Sequence, residues 1–180
     1  MQALSAEDSS MQPVSQGFTL LEVLVVAALV SVLTLLSLPG FSAFSERNAR
    51  TAAINHLYST LAFARQLAIS EQTSVSVCAT NQSRNVCLNG WHGDILVIMG
   101  DQHRSVEQDD IVRIVPALPS TRIRYTREAH RKAVKFNPLG FSKGYNGRFH
   151  ICPTGAETGS TLVLSQYGRL RLDDQAHDCL

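Results

Sequence analysis

QGFTLLEVLVVAALV, residues 16–30, decides the fold of this chain. From Phe18 to Leu38 the only ionisable side chain is Glu22, and the remainder is Leu, Val, Ala, Ser, Thr and Phe. Those 21 residues, rising about 1.5 Å each in a helix, would just cross a hydrocarbon layer of about 30 Å. A buried core helix is the bland alternative. It is disfavoured because little of the later sequence is apolar enough to surround a helix that is greasy on every face.

The segment ahead of it is unlike a secretory signal. Residues 1–17 hold Glu7 and Asp8 and no Lys or Arg, and the run ends in LPGFSAF rather than in a small-residue cleavage site. Met11 is a second candidate start, which would leave a seven-residue leader, MQPVSQG. Leu38-Pro39-Gly40 then interrupts the apolar run, and a kink or local break is expected there.

Helical periodicity resumes in RNARTAAINHLYSTLAFARQLAIS. Ala53, Ile54, Leu57, Leu61, Ala64 and Ala68 recur at three- and four-residue steps, while Arg47, Arg50, Asn55 and Gln66 fall largely off that stripe. One helix with two solvents accounts for both halves: lipid first, then a globular domain. Beyond Glu71 the period changes. TSVSVCAT, Ile95–Met99, IVRIV, TRIRYT, KAVKF, GRFHIC, STLVLS and GRLRL read as short strands separated by turn-rich or charged segments. The expected class is α+β, a long N-terminal helix packed on a mostly antiparallel sheet. The segments are 1–17 leader, 18–38 transmembrane half, 39–71 amphipathic half and 72–180 β domain.

Four cysteines follow the apolar segment: Cys78, Cys87, Cys152 and Cys179. An even count behind a membrane segment suggests disulfides in an oxidising compartment, with three complete pairings open. Cys78–Cys87 closing a short loop, with Cys152–Cys179 tying down the chain end, is preferred over a zinc site or free thiols. Knuckle spacing for zinc is absent, and no metal or cofactor is expected.

Charge is uneven. From Arg113 to Arg171 there are eleven Lys or Arg and two acidic residues, +9 in a chain of net charge +1. Such a field attracts polyanions; a solvated surface beside an anionic neighbour is the plainer reading. Catalytic signatures are missing: no GxSxG, HExxH, P-loop or dinucleotide fingerprint. His92 with Asp94, and His177 with Asp178, read as surface features, and the expectation is that the protein is not an enzyme. His130 and His150 could add charge to the basic region in mild acid. Lone Trp91 is expected to fill a small core.

Glu22 stands apart. An ionised carboxylate in hydrocarbon needs a partner, and residues 1–46 contain no Lys or Arg. Cutting the chain after Gly17 would create one: the new amino group of Phe18, placed to meet Glu22 of a neighbouring copy. The sequence then describes an assembly subunit.

GFTLLEV followed by a long apolar stretch resembles the processing and methylation signature of type IV pilins and type II secretion pseudopilins, and the whole chain resembles the GspH/FimT group of minor pilins. That resemblance implies cleavage between Gly17 and Phe18 by a membrane-embedded prepilin peptidase, which also N-methylates Phe18. It implies that Glu22 assists methylation and registers the subunit against its neighbours, and that Pro39 sits at the pilin kink. Gln16, where Lys or Arg is usual, departs from the pattern. Implied partners are other pilins or pseudopilins and the inner-membrane assembly platform. The implied location is the bacterial inner membrane, single-pass with a periplasmic domain, and then the fibre. Gly168-Arg169-Leu170-Arg171 matches the GRxR motif of FimT-like minor pilins, whose relatives in competent bacteria bind DNA. Carried across, Arg169 and Arg171 would contact phosphates of double-stranded DNA. Lys143 and Arg148 extend the patch on charge alone. A plainer reading of the motif makes it a final strand with two exposed arginines and inward Leu170 and Leu172. A FimT-like minor pilin of a type IV pilus, with a role in DNA uptake, is the first expectation. The alternative is the H-type pseudopilin of a type II secretion system.

Overall fold

A computed structural model describes residues 18–101, 105–127 and 131–179, the side chains of 35–43, 174 and 176 excepted. Among the described residues one α-helix, α1 (Leu20–Ser70), is followed by eight strands, with a short 3-10 turn at Gln108–Asp110. The strands are β1 (Val75–Thr80), β2 (Asp94–Met99), β3 (Ile111–Val115), β4 (Thr121–Tyr125), β5 (Ala133–Phe136), β6 (Gly147–Pro153), β7 (Thr158–Leu164) and β8 (Leu170–Asp178). Backbone contacts divide the chain after Ser42 into two units.

In the first unit α1 begins behind Thr19, whose Oγ1 accepts the Glu22 backbone N–H at 3.3 Å. Thr19 and Glu22 thus occupy the two positions of a capping box, and the carboxylate sits in the first turn, where the helix dipole favours negative charge. The apolar side chains from Phe18 to Leu33 lie exposed around this stretch. Among the described residues no helix is both long and apolar enough to cross a membrane. The Phe18–Leu38 span expected from the sequence runs past Thr34, outside the described side chains. The backbone stays helical through Leu38, Pro39 and Gly40, so the local break expected there does not occur. Proline removes one donor, and neighbouring turns keep their own hydrogen bonds.

The second unit, Ala43–Leu180, holds the rest of α1 and all the strands. The expected helix packed on antiparallel β-structure is present, and its strands form two antiparallel four-stranded sheets, ordered β3-β2-β1-β5 and β4-β6-β7-β8. Two sheets supply two inner faces for one helix stripe, which a single small sheet could not enclose. Ala53, Leu57, Leu61, Ala64 and Ala68 of α1 are fully buried among Val75, Val77, Val97, Val134 and Phe136 of the first sheet and Tyr125, Phe149, Ile151, Leu162 and Leu164 of the second. Trp91 does fill this core, meeting Phe149 and Tyr125 edge-on, while those two rings stack 4.5 Å apart. The Tyr125 hydroxyl donates to the Tyr145 carbonyl, and burial pushes its pKa up to about 12.

β1 is buried along its whole length because the first sheet is covered on both faces. On its far side Cys78, Leu96, Ile98 and Ala133 pack against Cys87 and Val106 of the following loops. Cys78 is bonded to Cys87 across that cover, and Cys152 to Cys179 at the chain's end.

Candidate functional site

In antiparallel sheets, residues directly opposite one another share a face, so the register of the second sheet lays out its outer surface. Arg148 faces Val163, which faces Arg171. The next row holds Arg124, His150, Thr161 and Asp173, and Arg122 lies opposite Cys152 in the row beyond. The other face carries the buried Tyr125, Phe149, Ile151, Leu162 and Leu164. Alternation in TRIRY and GRFHIC therefore separates a basic outer face from an apolar inner one.

The turn joining β7 to β8 sets the end of this face. Gly168 N–H donates to Ser165 O at 3.0 Å, Ser165 N–H to Arg169 O at 2.9 Å, and Arg169 N–H to Ser165 Oγ at 3.1 Å. Gly168 has φ 74°, and a Cβ there would collide with the Gly140 carbonyl, which itself accepts from Arg65 Nε at 3.1 Å. Glycine is thus required by both conformation and space. Ser142 closes the same end, donating its N–H to Gln166 O at 3.0 Å and its hydroxyl to Ser165 O at 2.7 Å.

Four basic residues nominated from sequence consequently gather at one end of the second sheet. Arg169 is exposed in the turn, Arg171 and Arg148 flank Val163 one residue inside it, and exposed Lys143 follows the Ser142 clasp. Arg148 is partly neutralised, its Nε lying 4.0 Å from Asp173 Oδ2. The expectation for the final strand needs one correction. Leu170 is partly buried, but Leu172 is 49% exposed, because β8 is the edge strand and runs beyond the core. Arg122 and Arg124 were counted in the basic stretch without being singled out; only strand pairing reveals that they share a face with Arg148 and Arg171.

Other nominated residues fare differently. Gly17 lies outside the described residues, as do the leader and His130. Phe18 is 82% exposed, and no ion pair involving Glu22 occurs among the described residues. His92 and Asp94 do not make a dyad: Asp94 Oδ2 accepts from Arg84 Nη2 and Oδ1 from the Ala117 N–H, each at 3.1 Å. His177 turns from Asp178 to stack on His150, with ring centres 3.9 Å apart. Among the described residues no cluster of three or more metal-ligating side chains occurs.

A long helix with an exposed apolar first stretch, and a second stretch embedded in a disulfide-bonded two-sheet domain, defines the type IV pilin-like class. Residues 13–38 match the prokaryotic N-terminal methylation motif, which implies processing by a prepilin peptidase and assembly with other pilins or pseudopilins. Residues 53–168 match the family described as Type II transport protein GspH, so the chain belongs to the GspH family of minor pilins and pseudopilins, which are structural fibre proteins. Among solved structures the fold is similar to the type IV minor pilin FimU of Pseudomonas aeruginosa PAO1 in two crystal forms. The first has TM-score 0.62 and 22% identity over 76% of this chain and 99% of that one. The second has TM-score 0.58 and 20% identity over 72% and 99%. No curated protein sequence matches significantly.

Proposed function

We propose that this chain is a non-enzymatic FimT-like minor pilin of a type IV pilus, which supports fibre assembly and binds double-stranded DNA during natural transformation. In this reading prepilin peptidase cuts between Gly17 and Phe18 and methylates Phe18. The Phe18–Leu38 segment anchors the subunit in the inner membrane with the β domain in the periplasm. Glu22 then pairs with the amino terminus of a neighbour as the helix leaves lipid for the fibre. The observation that carries the DNA half is the gathering of Arg169, Arg171, Arg148 and Lys143 at one end of the second sheet. Guanidinium groups there would hold phosphates in a salt-sensitive, largely sequence-independent way.

Duplex DNA should bind the Ala43–Leu180 unit, which has its own core and both disulfides. Affinity should fall as salt rises, and changing Arg169 and Arg171 together to Gln should weaken it with no change in melting temperature. Absence of binding at low salt, or an unchanged double variant, removes the DNA assignment.

The family match over residues 53–168 favours a second reading, the H-type pseudopilin of a type II secretion system. Deleting the gene and scoring piliation, transformation and secretion together separates the two. Loss of secretion alone selects the pseudopilus.

A further inference from the structure

A cavity of about 320 Å³ opens on the outer face of the second sheet. Arg122 and Arg124 of β4, His150 of β6, His177 and Asp178 of β8 and the loop residue His92 line it. Strand pairing explains the convergence. Arg124 lies opposite His150, and His177 lies opposite Gly159, over which the Cys152–Cys179 bridge passes. A Cβ at Gly159 would collide with both sulfurs.

The stacked rings of His150 and His177 are tilted by 27°, and His150 Nδ1 lies 3.0 Å from Thr161 Oγ1. That contact holds the ring and leaves Nε2 as its other hydrogen-bonding atom. Two guanidinium groups and three imidazoles therefore share one concave surface, and Asp178 is the acid on its wall. We infer that this cavity is a phosphate-binding site, distinct from the Arg169 turn, in which Arg122, Arg124 and the stacked imidazoles of His150 and His177 converge on one phosphate group.

Forked N–H donors on planar guanidinium groups match phosphate oxygens. Burial, then His177, Arg124 and Arg148, hold the His150 pKa below its ordinary value. A phosphate offsets the repulsion from those neighbours and draws a proton onto His150, so binding tightens as pH falls. The charged and titratable groups around the pair are His92 from the loop before β2, Arg122 and Arg124 from β4, Arg148 from β6, and Asp173 and Asp178 from β8. Asp173 is engaged by Arg148, which leaves the guanidinium groups in excess at the cavity.

The test uses the full chain in a neutral detergent, with dimethyl phosphate as the probe because it stays a monoanion over the range. Ionic strength is held constant with chloride. Imidazole NMR signals of His150 and His177 should shift saturably at pH 5.5, with affinity weakening toward pH 8 by up to about tenfold per pH unit where one proton is taken up. R124Q should abolish the shift. R122Q should do the same but also loses a hydrogen bond to the Cys179 carbonyl, so R124Q is the decisive variant. The R169Q/R171Q double variant should bind the probe normally. No saturable shift at pH 5.5, or an unaltered R124Q, overturns the site; equal affinity at both pH values overturns the histidine role. Inorganic phosphate run in parallel at pH 5.5 identifies the source: tighter binding than the diester assigns a free phosphate or monoester, weaker binding a nucleic-acid backbone. The inference is independent of the DNA reading. Probe binding without duplex binding leaves this site and removes that reading, and duplex binding without probe binding does the reverse.

Discussion

Within the Gly168–Arg171 motif the glycine has a structural duty, separable from the binding role proposed for Arg169 and Arg171. The glycine is needed because φ is 74° and the Gly140 carbonyl occupies the space where a Cβ would stand. Gly168→Ala should therefore destabilise the domain by about 1–3 kcal/mol, read by urea denaturation, whereas R169Q/R171Q should leave stability unchanged. Histidine makes a second prediction at this scale. Burial lowers the pKa of both His56 and His150 in the folded domain, with Arg113 adding to the effect at His56. The unfolded chain, with histidine near 6.5, then binds more protons than the folded one as pH falls below that value. Stability from these neutral rings is complete above about pH 6.5 and is lost as pH drops toward the lower folded values. Thermal melts in chloride should show a falling midpoint from pH 7.5 to 5, and His150→Gln should flatten part of that slope.

At the scale of the element, α1 is held by a narrow stripe. Leu57 and Leu61 are completely buried against both sheets, so Leu57→Ala or Leu61→Ala should cost about 2–5 kcal/mol each. Exposed Asn55→Ala should change little by the same denaturation assay. Arg50 was placed off this stripe by periodicity. It is half-buried, donating from Nη2 to the Thr158 carbonyl at 2.8 Å and pairing with Glu46 at 3.1 Å. Its long side chain reaches the sheet from the stripe's margin, which spacing alone does not reveal. β8 is an edge strand whose end is fastened by the Cys152–Cys179 bond, closing a sequence separation of 27. Replacing both cysteines with serine should cost about 3 kcal/mol on loop-closure grounds, measured against the intact domain under non-reducing conditions.

For the whole molecule, the division after Ser42 sets apart two kinds of surface. In the first unit the described apolar side chains, Phe18 to Leu33, are exposed on all sides, and such a surface requires lipid or neighbouring helices rather than water. Glu22 stands near its start with no described ion pair, while Thr19 caps the same turn. Glu22→Gln should leave the melting temperature of the β domain unchanged and abolish recovery of the subunit in sheared fibres, detected by immunoblot. Full incorporation of the variant would reduce Glu22 to a helix-capping residue.

The helix stripe, all eight strands and the apolar N-terminal run were legible from local pattern, because periodicity at 3.6 or 2 residues reports which side of an element meets apolar matter. Thr19-x-x-Glu22 also has the local spacing of a capping box. The division into two sheets was not legible, since strand partners are chosen by contacts far apart in sequence. For the same reason Arg122 and Arg124 could be counted but not placed beside Arg148 and Arg171, nor His150 beside His177. By itself the sequence determined the elements, the family signature and the charge imbalance. The tertiary structure decided which charges share a face and that Gly159 lies under a disulfide, because those facts depend on strand register and order rather than on any local run of residues.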